Sequence, residues 1–325
     1  MPYMKPPLSK ELWFTEGGKA GEELAFTDWH GERKGIDFES EAFYRDNGVQ
    51  VLLRSTVGAL DLETKTVRLT SGSEIAFDQV LVASGADPRR IAAVEGLPEE
   101  RVTTYRTVKD FQRLYGLLGE TGSKHVVVIG GGFLGSELAV AMARHCAPAT
   151  GHAITQIFPE DGQMGLVFPK YLSQWTMGKM SALGVAVKNR CWVERAAQKG
   201  ERVELVLSTG EKVLADHVVV AVGIEPATSF VPARVQGKAP GPRGVAVDAH
   251  LLAWSGGTAH HGGDAALETA FAQALDGLRA HQPPRKPLRR VDIAVGSDLG
   301  VLRMQTQALA DKYRDPGAGP IAAQY

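Results

Sequence analysis

The stretch "VVVIGGGFLGSELAV", Val126–Val140, decides the fold. An apolar run, mostly valine, ends on three glycines, and residues suited to a helix follow. That order reads as a strand, a tight turn and a helix. Gly130, Gly132 and Gly135 fit the spacing G-x-G-x-x-G, the fingerprint of dinucleotide binding. Each of the three has a task. Gly130 permits the tight turn, Gly132 lets a pyrophosphate approach the backbone, and Gly135 lets the helix lie close to the strand. The phosphates then meet unpaired N–H groups at the positive end of the helix.

The motif alone is weak, and its surroundings strengthen it. A helix over Phe133–Cys146 and a second strand over Ala153–Phe158 complete a βαβ unit. Glu160, just past that strand, is placed to take both ribose hydroxyls of NAD and to repel a 2′-phosphate. No arginine follows it directly, which favours NAD over NADP. Glu160 comes later than the usual spacing of roughly 20 residues, and the loop "APATGH" absorbs the excess. The competing reading is a glycine turn with a purely structural role.

Outward from this unit, one pattern occurs twice. "VRLTSGSEIAFDQVLVASGADP" (Val67–Pro88) and "VELVLSTGEKVLADHVVVAVGIEP" (Val203–Pro226) share an order. Each offers a strand, a Ser/Thr-Gly hairpin, a short strand, an aspartate, a buried-type strand and G-x-x-P. Two copies suggest two related domains, with chance similarity of hairpins as the alternative. A full βαβ unit precedes the second copy; the first lacks one. Helices are expected over Thr107–Leu118, Tyr171–Gly184 and Ala266–His281. From Gln282 onward Pro, Gly and charge dominate, so a poorly packed tail is expected.

Composition narrows the class. The 325 residues allow about two or three domains. With 36 basic and 37 acidic residues the net charge is −1, which gives no support for a nucleic-acid or anionic-membrane partner. "QPPRKPLRR" (Gln282–Arg290) is a basic patch, or simply a solvated loop. Only Cys146 and Cys191 occur, which argues against a disulfide scaffold, a zinc site or a dithiol centre. No metal ligand set is assigned. No apolar run reaches the ~18 residues of a membrane span, and the N-terminus carries no targeting pattern.

The repeated hairpin with G-x-x-P resembles that of two-dinucleotide flavoprotein reductases, in which an NAD domain interrupts an FAD domain. "GGDAAL" (Gly262–Leu267) is similar to their returning FAD motif. "PYMKPPLSKELWF" (Pro2–Phe14), "GGGFLGSELA" (Gly130–Ala139), "FPEDGQMG" (Phe158–Gly165) and "YLSQWTM" (Tyr171–Met177) resemble the apoptosis-inducing-factor family of mitochondrial flavoproteins. The resemblance is continuous over about Pro2–Val231 and fragmentary after Gly263. It implies an α/β fold of the glutathione-reductase type, with an intact central NAD-binding Rossmann-like domain inserted in an incomplete FAD domain. The implied boundaries are 1–106 for the first FAD part, 107–231 for the NAD domain, 232–290 for the second FAD part and 291–325 for a C-terminal remnant.

Carried over by position, the resemblance implies a flavin-side set. Lys10 would approach the flavin ring, and Glu137 would pair with it and hold it. Lys5, where the family has arginine, would meet the FAD phosphate without the bidentate fork of arginine. Val57 would touch adenine, Arg106 would contact the diphosphate or ribose, and Asp264 would bind the ribityl chain. For NADH the set is Gly130, Gly131, Gly132, Phe133, Leu134, Gly135, Glu160 and Gly223, with Phe133 at the nicotinamide. Read without the family, Lys10 and Arg106 are surface charges, Phe133 is a core residue and Glu137 an exposed i,i+4 partner.

The same resemblance implies an FAD-dependent NADH oxidoreductase with roles in respiratory-chain maintenance and programmed cell death. It also implies dimerisation on reduction, mitochondrial import or assembly partners, and residence in the intermembrane space with nuclear relocation. Three departures qualify this. The FAD pyrophosphate loop that precedes "PYMKPP" in the family is not found here, and most of the C-terminal domain is not found either. A Glu-His-His stretch of the family has no counterpart in "RRVDIAVGSDLG" (Arg289–Gly300); His260 and His261 are a rearranged version of it or plain loop residues. The rival expectation is therefore a flavin-free NAD(H)-binding module without turnover.

Overall fold

The structure is a computed structural model. It describes residues 1–14, 23–146, 151–237, 244–247, 251–255, 258–259, 291–295 and 301–304. In chain order come β1 (Ala25–Thr27), β2 (Arg33–Gly35), α1 (Glu41–Asp46), β3 (Gln50–Leu52), β4 (Val57–Asp61), β5 (Thr66–Leu69), β6 (Glu74–Ala76), β7 (Val80–Ala83) and β8 (Ala86–Pro88). Then follow β9 (Val102–Thr104), α2 (Val108–Gly119), β10 (His125–Ile129), α3 (Phe133–His145), β11 (Ala153–Ile157), α4 (Lys170–Ala182), β12 (Val185–Lys188) and β13 (Val193–Lys199). The chain continues through β14 (Arg202–Leu207), β15 (Lys212–Ala215), β16 (His217–Val220), β17 (Ile224–Pro226), β18 (Trp254–Ser255), β19 (Thr258–Ala259), β20 (Val291–Val295) and β21 (Val301–Met304).

The chain forms two compact units. One comprises Tyr3–Phe38 and Asp87–Glu225; the other comprises Met1–Pro2, Glu39–Ala86 and Pro226–Tyr325. These limits do not coincide with the boundaries at residues 106 and 231 drawn from sequence. The segment from Tyr3 belongs with the glycine motif because it buries Leu8, Leu12 and Trp13 in the same core.

The first unit is built on a parallel sheet of order β12-β11-β10-β16-β9. Chain order reverses between β10 and β16, which makes that point the natural crevice of a doubly wound fold. Val126 and Val128 face one core, with Phe111 and Leu114 of α2 and Leu138 and Met142 of α3. Val127 and Ile129 face another core, with Leu205 and Leu207 of the antiparallel sheet β13-β14-β15. Burial on both faces is why β10 reads as an unbroken apolar run rather than an alternation. The start of α2 is set by a capping box, with Thr107 and Asp110 serving each other's backbone.

His217 of β16 sits in the interior of this unit. Its ring lies 2.9 Å from Thr103 Oγ1 and 3.1 Å from the Glu100 carbonyl oxygen. Burial lowers its pKa to about 4, against the lesser opposing pull of that carbonyl. The unfolded chain therefore binds the proton first as pH falls, and folding stability is lost between pH 6.5 and about 4. The loss across that window is of the order of 3 kcal/mol. His125 and His145 shift the same way through burial. Urea unfolding at pH 7.5 and pH 5 measures this, and equal unfolding free energies at the two pH values would refute it.

The second unit holds the antiparallel sheet β4-β5-β6 and the sheet β3-β21-β20-β7. Its core gathers Leu60, Val67, Leu69, Phe77, Val231 and Val235. Here β20 pairs parallel with β7 and antiparallel with β21. Two strands thus fall in the stretch read as an unpacked tail. "VDIAV" and "VLRM" supply β-branched and apolar residues whose signal is outweighed in sequence by the Pro, Gly and charge around them.

The repeat seen in sequence is a repeat in structure. In the β5–β6 hairpin Leu69 N–H donates to Ser73 O and Gly72 N–H to Leu69 O; in the β14–β15 hairpin Leu207 N–H donates to Glu211 O and Gly210 N–H to Leu207 O. Gly72 and Gly210 have φ of 91° and 81°, and the glycines of the two G-x-x-P segments, Gly85 and Gly223, have 71° and 108°. Left-handed backbone at matching places is what the shared glycines provide. Asp264, His260, His261, Ala266–His281 and Gln282–Arg290 lie outside the described residues.

Candidate functional site

The glycine run connects β10 to α3 at the crevice between β10 and β16. Gly130 has φ 125°, and a Cβ there would stand 2.3 Å from the Ala221 carbonyl oxygen just past β16. Gly135 faces back onto the turn: its Cβ would stand 2.3 Å from Gly130 O. Gly131 is closed off too, since its Cβ would stand 2.5 Å from the Phe158 ring. The motif spacing does not express that third need; only the packing of Phe158 does. Gly132 differs from all of these. It is the N-cap of α3, with nothing within 4 Å of a Cβ. Open space beside the head of a helix is what an approaching anion requires.

The neighbours of this loop are placed as follows. Phe133 is 52% exposed and meets Phe168 edge-on at 5.9 Å, so it is not a core residue. The Leu134 side chain packs against the helix-side core, which leaves its backbone for any ligand contact. Glu160 is half-buried and accepts Arg190 N–H through its carbonyl at 3.1 Å. Arg190, remote in sequence, is therefore brought beside Glu160, and its guanidinium pairs with Asp161 at 2.7 Å. Gly223 accepts Arg89 N–H at 2.9 Å through its carbonyl oxygen.

A cleft of about 530 Å³ opens at the carboxyl ends of β10, β11 and β16. Ile91, Phe158, Pro159, Trp192, Val193 and Val222 supply much of its apolar wall. An aromatic base fits such a surface by size and by stacking. Sequence reading passed over these residues because nothing in a lone valine or tryptophan marks the mouth of a crevice; the strand ends do.

A second group of predicted residues meets at the segment from Pro6 to Phe14. Two 3₁₀ turns, Pro6–Ser9 and Glu11–Phe14, flank Lys10. Leu8 O anchors them, accepting Trp13 Nε1–H at 2.8 Å and the Tyr105 hydroxyl. With Leu8, Leu12 and Trp13 buried, Lys10 is turned outward. Its Nζ lies 2.6 Å from Glu137 Oε2, and Ser9 Oγ donates to the same oxygen at 2.8 Å. The partner of Glu137 is thus distant in sequence rather than one helical turn away. Both side chains are a third or more exposed, and such a pair adds at most about 1 kcal/mol to stability. Holding the ammonium in one place is its larger consequence.

The other flavin-side candidates fall on both compact units. Lys5 stands at the N-cap position of the first 3₁₀ turn, where its carbonyl accepts Leu8 N–H at 3.0 Å. Arg106 follows β9, and its N–H donates to Asp110 Oδ2 at 2.9 Å. Val57 belongs to the other compact unit, where it packs on the core of Leu60 and Val67. Both cysteines are free thiols, and burial raises the pKa of each. Among the described residues no helix is long and apolar enough to cross a membrane.

Comparison with known proteins gives a consistent picture. Residues 1–255 match the family described as pyridine nucleotide-disulphide oxidoreductase. Apoptosis-inducing factor 1, mitochondrial, from Dictyostelium discoideum is 36% identical over 233 residues, 71% of this chain and 43% of that protein. Rubredoxin-NAD(+) reductase from Pseudomonas putida is 29% identical over 226 residues, covering 69% of this chain and 53% of that one. Among solved structures, a ferredoxin reductase from Rhodopseudomonas palustris superimposes with a TM-score of 0.63 at 28% identity, covering 78% of this chain and 56% of that chain. The chain thus spans about half, or less, of the length of the curated relatives it matches.

Proposed function

Because the chain belongs to the pyridine nucleotide-disulphide oxidoreductase family, we propose that it binds NAD(H) on the glycine run and works as an FAD-linked NADH oxidoreductase. The observation that carries this reading is the open space at Gly132, at the head of α3. When bound, NADH supplies a hydride and FAD accepts it, which is chemistry no side chain provides.

The chain's own residues bind and orient. Gly132 and the first turn of α3 receive the pyrophosphate, and Glu160 takes the ribose hydroxyls and disfavours a 2′-phosphate. The cleft by Trp192 and Val222 holds the adenine. Exposed Phe133 covers the nicotinamide end, with Gly223 beyond it. Lys10, held by Glu137 and Ser9, offers a fixed cation where negative charge grows during transfer. Lys5, Arg106, Val57 and Asp264 remain the proposed FAD contacts.

The similarity to a mitochondrial apoptosis-inducing factor supports a mitochondrial location and a role in cell death or respiratory-chain upkeep. Dimerisation on reduction, import or assembly partners and nuclear relocation belong to the same proposal. A flavin-free NAD(H)-binding role is the second reading, because the dinucleotide unit has a core of its own. The purified chain separates the two. A visible flavin band bleached by NADH supports the oxidoreductase, whereas colourless protein that binds NADH supports the module. In the first case Lys10→Met and Glu137→Gln are expected to lower turnover with a dye acceptor by about 10–100-fold, leaving NADH affinity within about threefold. Unchanged turnover in both variants removes Lys10 from the reaction.

A further inference from the structure

Behind the glycine run lies a closed set of amides to which no function is attached. Gln156 of β11 and Gln163 of the following loop are both fully buried. Gln156 Nε2 donates to Gly130 O at 2.8 Å. Gln163 Nε2 donates to Gln156 Oε1 at 3.1 Å and also to Ser136 Oγ. The Ser136 hydroxyl in turn donates to Gly132 O at 2.6 Å, and Ser136 N–H reaches the same oxygen at 3.0 Å. The remaining carbonyl, Gly131 O, takes the N–H of Met164, next to Gln163, at 2.8 Å. Gln163 itself lies 3.4 Å from Gly131 O.

The carbonyls of Gly130, Gly131 and Gly132 are therefore all tied to the interior. A trans peptide is planar, with C=O and N–H pointing in opposite directions. Fixing these three carbonyls inward turns the N–H groups of Gly131, Gly132 and Phe133 away from that interior, and the space beside Gly132 is open. The amide orientations follow from the acceptors. Gly130 O demands the NH₂ end of Gln156, and the buried oxygen of Gln156 then demands the NH₂ end of Gln163. One oxygen is left over: Gln163 Oε1 is buried and has no partner among the described residues. An apolar side chain at 163 would remove that orphan but strip Gln156 Oε1 of its donor, so the two amides work as one unit.

We propose that Gln163, acting through Gln156 and Ser136, is a positioning residue that presets three peptide N–H groups for the pyrophosphate of NAD(H). This rests on the NAD(H) reading of the site. Donors already aimed at an anion need no reorganisation when it arrives, which is where their affinity comes from. A loop released from the hub samples other peptide orientations and loses contacts to phosphate, but not contacts to the base.

The test uses the full chain and three probes: NADH and ADP-ribose, which carry the pyrophosphate, and adenosine, which does not. In Gln163→Leu, dissociation constants for NADH and ADP-ribose are expected to rise about tenfold, with adenosine binding unchanged. The unfolding midpoint is expected to fall by only a few degrees, because the orphan oxygen goes while Gln156 Oε1 loses its donor. A purely structural role would move all three ligands together. Ser136→Ala, a small change in the first turn of α3, is expected to shift the two pyrophosphate ligands in the same direction by about threefold, and it keeps the test open should Gln163→Leu not fold. Folded variants that bind NADH within twofold of wild type, or lose adenosine in proportion, overturn the proposal. Wild-type protein that binds neither NADH nor ADP-ribose overturns the NAD(H) reading, and this inference with it.

Discussion

Gly132→Val is expected to weaken NADH binding by about a hundredfold or more while leaving the protein folded. Its φ of −77° is ordinary for any residue, and a Cβ there meets nothing within 4 Å. Losing glycine at an N-cap costs about 1 kcal/mol or less, so the unfolding midpoint should move by only a few degrees. What the valine does is fill the space at the head of α3. A pyrophosphate that lies against bare backbone is then held off by two methyl groups, too far for the N–H groups of the loop to reach it. Calorimetric titration with NADH beside a thermal melt reads both quantities on one sample. An affinity within threefold of wild type would show that the cradle is elsewhere and would remove the observation on which the functional reading stands.

The glycine motif made the dinucleotide unit legible because each local signal agreed with the fold. The unbroken valines of β10, the helical spacing of apolar residues over Thr107–Leu118 and the repeated hairpin glycines all point to the same architecture. Pairing between Lys10 and Glu137 was legible only through resemblance. Nothing in either residue's own neighbourhood announces a partner on another element, whereas buried Leu8, Leu12 and Trp13 bring the two together in space. The apolar cleft and the Gln156–Gln163 hub left no trace in the sequence. Side chains that converge from strand ends and loops share no spacing, and a buried glutamine looks like a surface one until its neighbours are known. Arg190 shows the same limit. Reading only the residues after Glu160 left out a cation that the fold delivers from the far end of β12, already neutralised by Asp161.

Gly130→Ala changes the protein by the same single methyl as Gly132→Ala two residues on, and the opposite outcome is expected. Gly130 has φ 125°, a conformation closed to residues with a Cβ at a cost of about 1–3 kcal/mol. The added carbon would also stand 2.3 Å from Ala221 O and 2.7 Å from Ala221 C. Both are backbone atoms, so no side chain can swing aside. Relief requires β10 and the exit of β16 to separate, yet Ala221 N–H is bonded to Ile129 O at 2.8 Å and Gly130 N–H to Ile157 O at 2.8 Å. Overpacking of this kind adds about 1–3 kcal/mol. Together the two costs approach the lower end of a whole domain's stability, about 5 kcal/mol. The unfolding midpoint of Gly130→Ala should fall by about 10 °C, with Gly132→Ala, lowered by only a few degrees, as its control. NADH affinity would fall in Gly130→Ala as well, but only as the crevice itself opens, so the loss should track the fraction unfolded in circular dichroism. Equal midpoints for the two alanine variants would mean that the contact between Gly130 and Ala221 is not what closes the sheet at its switch point, and that the first glycine of the motif serves the ligand rather than the fold.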